Sequence, residues 1–267
     1  MALDLKNQTT LITGASSGIG REFAREFAAR GSRLILVARR LDRLDELGQE
    51  LRAKHGTEVA TIQLDLARPN AADELARAVA DRRLTVTSLI NNAGFGTFGP
   101  FHQDDPALLR EELALDVSTL VGITRAFIEQ LRAGNGVLIN IASMAAYQGN
   151  PNMAVYGAAK AFVLSFTEGL WYESRSTGLK VIAVSPGATR TEFFDVVGTI
   201  DAAGGARLQT PRAVVDTAIA ALGRRNPPPS IAVGRGNRAF LGLAKLLSRR
   251  RLTLAIGRLT APKKNSA

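Results

Sequence analysis

Apolar residues in this chain fall into short unbroken runs that alternate with longer stretches where they recur every three or four positions. The runs at 9–12, 33–38, 58–64, 89–94, 136–143, 180–185 and 231–233 read as strands, the fourth closing in an amide-rich turn. Between them, Phe23 and Phe27 stand at helical spacing, a charged helix follows Arg40 to about Lys54, and another begins near Asn70. Residues 105–132 read as one long helix with a break near Asp116, a further helix carries Tyr156 and Lys160, and residues 211–222 form another. Strand and helix in alternation predict one α/β domain: a doubly wound parallel sheet of about seven strands, with helices on both faces. Residues 191–210 break the rhythm, and a segment that long without periodicity in a compact domain points to a functional or disordered loop.

Charge changes this picture only at the end of the chain. The net charge is +10, from 34 basic and 24 acidic residues, but no Asp or Glu follows Asp216, whereas eleven Lys and Arg do. That leaves 23 basic against 24 acidic residues in 1–216, a net of −1. The excess sits in an extension, 235–267, where Phe240, Leu243, Leu247, Leu252 and Ile256 are interleaved with Lys245, Arg249, Arg250, Arg251, Lys263 and Lys264. Two readings stand: a cationic amphipathic segment in peripheral contact with an anionic membrane surface, or an apolar side packed on the domain or a second subunit with its charges in water. No nucleic-acid partner is expected; binding of one through the tail is the rival, and it would fall steeply with salt.

The chain has no cysteine, and its two histidines, His55 and His102, stand far apart, so thiolate chemistry is excluded and no metal site is expected. Residues 1–8 lead almost directly into the first strand, leaving no room for a secretory segment, and no apolar run is long enough to span a bilayer; a cytoplasmic protein is expected.

The stretch 13–20, TGASSGIG, joins the first strand to the first helix. Glycines there let the backbone approach a ligand, and unpaired N–H groups at the helix start attract a phosphate. Gly14, Ser16, Ser17, Gly18, Ile19 and Gly20 are the candidate phosphate contacts. In a strand–helix–strand unit the residue after the second strand meets the adenosine ribose, where an acid suits a 2′-hydroxyl and an arginine a 2′-phosphate. Arg39 and Arg40 stand there, so NADP(H) is favoured over NAD(H); the alternative makes both solvated residues at a helix start. Asp65, before Leu66 at the end of the third strand, reads either as a helix cap or as an adenine contact, and Asn92, Ala93 and Gly94 as support for the sheet end or as a cofactor contact.

Tyr156 and Lys160, four apart, share a helix face, and Ser143 ends the fifth strand. A phenol of pKa about 10 is a weak acid and a poor base until its surroundings adjust it, and an adjacent ammonium favours the phenolate. Ser143 could steady a developing alkoxide while Tyr156 gives or takes its proton and a nicotinamide carries the hydride.

Together TGxxxGxG, NNAG at 91–94, the serine with YxxxK, and PGxxxT at 186–191 resemble the short-chain dehydrogenase/reductase family over roughly residues 5–235. The resemblance implies a Rossmann-type catalytic domain over 1–234 with a substrate loop at about 191–210, a homodimer or homotetramer, and catalysis by Ser143, Tyr156 and Lys160. It places Asp65 near the adenine, Lys160 also on the nicotinamide ribose, and Pro186, Gly187, Thr189 and Thr191 beside the nicotinamide, with Thr189 where an aliphatic residue is common. It also places Asp116 at the position of a family asparagine that holds a water of the proton relay; an ionised aspartate cannot donate there. The expected activity is an NADP(H)-dependent carbonyl–alcohol oxidoreductase on a lipophilic small molecule, with Phe95, Phe98, Phe101, Met144 and Tyr147 around its cavity; the rival is a non-catalytic NADP(H)-binding sensor.

Overall fold

The computed structural model describes residues 5–260; Asp4 and the tail residues Lys263 and Lys264 lie outside the described residues. The first half of the chain runs β1 (Thr9–Thr13), α1 (Gly18–Ala29), β2 (Arg33–Ala38), α2 (Leu41–His55), β3 (Val59–Gln63), α3 (Ala71–Asp81), β4 (Ser88–Asn91), α4 (Pro106–Leu113) and α5 (Leu120–Ala133). The second half runs β5 (Val137–Ile141), α6 (Ala154–Glu173), β6 (Lys180–Ser185), α7 (Phe193–Val197), α8 (Pro211–Leu222), β7 (Ser230–Ala232), α9 (Arg235–Ala244) and α10 (Arg249–Leu259). All seven strands pair in parallel in the order β3-β2-β1-β4-β5-β6-β7.

Strand side chains alternate between two cores. Ile12, Leu36, Ile90, Ile139 and Ile182 face α1, α2 and α8, where Phe23, Phe27, Leu44, Leu51 and Val214 fill the layer. Leu11, Ile35, Leu89, Leu138 and Val181 face the other way, onto Leu75 and Val79 of α3 and Ile123, Phe127 and Leu131 of α5. Chain order reverses between β1 and β4, and in open parallel sheets the crevice at the carboxyl ends of strands at such a switch point holds the ligand.

The long helix expected over 105–132 is three pieces: α4, capped by Asp105, whose side chain accepts from Ala107 N–H, then a π-helical turn at Ala114–Thr119, then α5. The break expected near Asp116 is this widened turn, a feature frequent at functional sites. Residues 191–210 are more ordered than their pattern suggests, carrying α7 and a 3₁₀ turn at Ile200–Ala203. Asp65 does not cap α3: its Oδ1 accepts from Ala67 N–H at 3.1 Å in a local turn, and Asn70, in the left-handed region, precedes the helix.

The basic extension folds into α9 and α10. Leu252 of α10 is buried, Asn152 Nδ2 donates to Thr260 O at 3.2 Å, and Gly257 packs against Pro151, so α10 lies on the loop before α6. Leu243, Leu246 and Leu247, between the two helices, stay exposed. Among the described residues no helix is long and apolar enough to cross a membrane.

Candidate active site

Every motif singled out in the sequence sits at the carboxyl end of a strand, which is why residues scattered from 14 to 191 line one cavity of about 1030 Å³. After β1, Gly14 takes a positive φ of 65°, and a Cβ on Gly20 would stand 2.4 Å from Gly14 O, so the turn closes only with glycine at both places. The amino end of α1 receives no side-chain cap from Ser17 and has no acid in its first turn, so its N–H groups are available to an anion. Asn92 holds this turn from β4: its Nδ2 donates to Thr13 O at 2.9 Å and Gly14 O at 3.2 Å, while its own N–H and that of Ala93 donate to Thr13 Oγ1 at 2.9 and 3.0 Å. The supporting role foreseen for Asn92 is therefore present in the hydrogen bonds.

At the other end of the cavity Arg40 Nη2 donates to Ser16 Oγ at 3.1 Å and to Glu192 Oε2 at 2.7 Å, and Arg43 donates to Glu192 Oε1. Hydrogen bonds from Arg40 and Arg43 pull the Glu192 carboxyl down to about 2. Sequence reading named Arg39 and Arg40 but missed Arg43, one helical turn into α2, and Glu192, the residue after the PGxxxT segment. Arg39 is exposed and lines the cavity without entering this cluster. Asp65, Leu66, Gly94, Pro186, Gly187, Thr189 and Thr191 line it too.

Ser143 follows β5, where its Oγ accepts from Ala145 N–H at 3.1 Å, and Asn150 fixes the loop behind it by donating to Ala145 O at 2.7 Å and Gln148 O at 2.8 Å. Tyr156 packs on Phe193 of α7, ring centroids 5.4 Å apart, and Lys160 Nζ stands 5.6 Å from the Tyr156 centroid. Lys160 Nζ also donates to Ile141 O at 3.4 Å and ion-pairs with Asp116 Oδ2 at 2.8 Å. Asp116 Oδ1 accepts from Phe95 N–H at 3.2 Å, and its side chain is fully buried.

This ion pair reverses the simple expectation for the tyrosine. Burial pushes the Tyr156 hydroxyl above its ordinary range; Lys160 and the Ser143 hydroxyl act against that rise, and Asp116 and Glu112 add to it. Burial would lower Lys160, but the Asp116 carboxylate more than offsets it, leaving the ammonium raised. Asp116 itself is raised by burial against the pull of Lys160. Glu112, one turn before Asp116, is pushed by burial up to about 7. Nothing in the sequence reading pointed to Glu112, although its four-residue spacing from Asp116 is a signal for two acids on one face.

Two of the expected cavity aromatics are elsewhere. Phe101 is 63% exposed on a short 3₁₀ turn, and neither it nor Phe98 or Tyr147 lines the cavity; Tyr147 OH instead contacts Ser185 Oγ at 3.3 Å. Phe95, Met144, Phe193 and Phe194 do line it, joined by Phe240 of α9 and Ile256 and Leu259 of α10, so the extension supplies part of the wall.

Residues 8–199 match the short chain dehydrogenase family. The chain belongs to that family. Sulfoacetaldehyde reductase 2 of Chromohalobacter salexigens is 40% identical over 188 residues, 68% of this chain and 73% of that protein. A solved 7beta-hydroxysteroid dehydrogenase superposes with a TM-score of 0.84 at 26% identity, over 96% of this chain and 100% of that one. A short-chain dehydrogenase from Sphingobium yanoikuyae, solved in complex with NADPH, superposes at 0.76 and 31% identity over 97% and 98%. This short-chain dehydrogenase is thus an oxidoreductase of alcohols and carbonyls, built on the seven-stranded Rossmann-type sheet its motifs implied.

Proposed function

We propose that the chain is an NADP(H)-dependent oxidoreductase interconverting a carbonyl and a secondary alcohol on a largely apolar small molecule, with Tyr156 handling the proton. The observation that carries it is one cavity running from Ser16 and Arg40 past Ser143, Tyr156 and Lys160 to Phe194 and Leu259. Its cofactor half fits a phosphorylated dinucleotide. The uncapped start of α1 suits the pyrophosphate, and Arg40 and Arg43 already grip an anion, the Glu192 carboxylate, in the place where a 2′-phosphate would be recognised. Asp65 and Leu66 would flank the adenine, and Lys160 the nicotinamide ribose. The bound nicotinamide supplies or accepts the hydride.

The chain's own residues do the rest. Ser143 Oγ and Tyr156 OH hold the substrate oxygen, Tyr156 donates its proton to that oxygen in reduction, and Lys160 steadies the phenolate left behind. Phe193 covers Tyr156, and Phe194, Phe240 and Ile256 shape an apolar wall that excludes water. A carbonyl panel followed by NADPH absorbance, run beside NADH, tests the activity. In the same assay Arg40→Ser with Arg43→Ser is expected to raise KM for NADPH about tenfold or more while changing that for NADH about twofold at most, consistent with loss of a charge-assisted anion contact; equal effects on both cofactors would remove the 2′-phosphate assignment. The exposed Leu243, Leu246 and Leu247 beside Arg249, Arg250 and Arg251 support peripheral contact of the tail with anionic vesicles. Cosedimentation of the full chain, but not of one ending at Val233, is the expected result, and equal binding by both overturns it.

A further inference from the structure

Glu112 is a buried acid for which the serine, tyrosine and lysine leave no task. Its side chain is withdrawn from solvent; Oε2 accepts from Thr97 N–H at 3.1 Å and Thr97 Oγ1 at 2.9 Å, and Oε1 has no hydrogen-bond partner among the described residues. Four residues on stands Asp116, equally buried and already paired with Lys160 at 2.8 Å. One cation therefore faces two carboxyl groups. Asp116 neutralises Lys160, and Glu112 has no cation of its own. The charged groups acting on Glu112 are Asp116 of the π-helical turn and Lys160 of α6, and Tyr156 in turn feels both acids. Glu111 beside it lines the cavity, and its other sequence neighbours on α4 are apolar or, at Arg110, one residue further back.

We propose that Glu112 is a positioning residue that, acting through Asp116 and Lys160, keeps Tyr156 in its phenol form as the pH rises and so extends the range over which the site can donate a proton to a carbonyl. The inference rests on the proton-transfer role of Tyr156 proposed above. In reduction the hydride bonds to the carbonyl carbon, the π pair of C=O passes to oxygen, and that oxygen takes the Tyr156 proton. The phenolate left behind is reprotonated from solvent. Forming the phenolate adds a negative charge beside Lys160. While Glu112 is protonated, that charge meets an Asp116–Lys160 pair that already cancels; once Glu112 ionises, it meets a second, uncompensated carboxylate in a medium that screens poorly. Glu112 is pushed by burial up to about 7, so its charge is absent in acid and present in mild alkali, where loss of the tyrosine proton would otherwise begin to limit reduction. The equilibrium constant of the reaction is fixed, so the two directions respond together: the fall of reduction and the levelling of oxidation both move to higher pH.

The test is the pH profile of kcat/KM in both directions for wild type, Glu112→Gln and Glu112→Asp. Glu112→Gln keeps the shape and removes the charge; both limbs are expected to move to lower pH by about half a unit or more, roughly a threefold loss of reduction on the alkaline side. Glu112→Asp, which keeps an acid, should hold the wild-type limbs. Superimposable Glu112→Gln and wild-type profiles overturn the proposal. If Glu112→Gln does not fold, the tyrosinate difference absorbance of wild type against Tyr156→Phe gives the Tyr156 titration directly; ionisation below that of an ordinary tyrosine overturns the proposal, and ionisation above it supports it. Tyr156→Phe with wild-type turnover would instead remove the proton-transfer role itself, an outcome distinct from unmoved limbs in Glu112→Gln beside an inactive Tyr156→Phe.

Discussion

Tyr156→Phe is expected to lower kcat/KM for carbonyl reduction by about 10²–10⁴-fold while leaving NADPH affinity within about threefold of wild type. The change removes one oxygen. The ring keeps its packing on Phe193, 5.4 Å between centroids, and Lys160 keeps its ion pair with Asp116 at 2.8 Å, so neither the fold nor the cofactor end of the cavity loses a contact. What is lost is the acid that meets the substrate oxygen as the hydride arrives. Initial rates over the carbonyl panel and a fluorescence titration with NADPH measure the two quantities separately. The experiment also distinguishes the enzyme from a sensor that keeps the fold and binds NADPH without turnover: for a sensor Tyr156→Phe and wild type would be indistinguishable in both measurements.

The legible part of this molecule is the part with a strong local signal. The strand Lys180–Ser185 and the helix Pro211–Leu222 fall on the residues their patterns indicated, since a fully buried run and a proline at a helix start are readable from neighbours alone. The glycine turn and the YxxxK spacing were legible because backbone shape and a helix face constrain residue type at fixed offsets. Asp116 was legible as a break and a departure, but its partner was not: the 2.8 Å contact joins residues 44 positions apart on different helices, and no local pattern reports that. Glu192 was hidden for the same reason, since its partners lie 152 and 149 residues earlier. Residues 191–210 looked structureless because α7 is only five residues long, too short for an apolar period to register. The extension posed an either-or that the structure answers with both: Leu252 is buried against the domain while Leu246 is 82% exposed.

Lys160→Met is expected to cost about 3–5 kcal/mol of stability, more than its loss of catalytic function alone would suggest. The lysine side chain is 6% exposed and its Asp116 partner fully buried, so removing the ammonium strands a carboxylate whose other contact is a single hydrogen bond from Phe95 N–H. Asp116→Asn in the same chain should restore most of that loss, because a neutral amide no longer needs the cation. The pH dependence fixes the cause. Burial already raises Asp116 in the intact site, and without Lys160 the opposing pull is gone. An acid whose folded pKa lies above its unfolded value stabilises the fold while protonated and loses that contribution as pH rises. The deficit of Lys160→Met relative to wild type should therefore shrink between about pH 8 and about pH 5, whereas the double variant should show little such change. Urea unfolding of the three proteins at both pH values reads this directly. A deficit that stays constant with pH, or a double variant no more stable than Lys160→Met, would mean that the lysine stabilises the fold by packing its methylenes and that the ion pair is energetically idle.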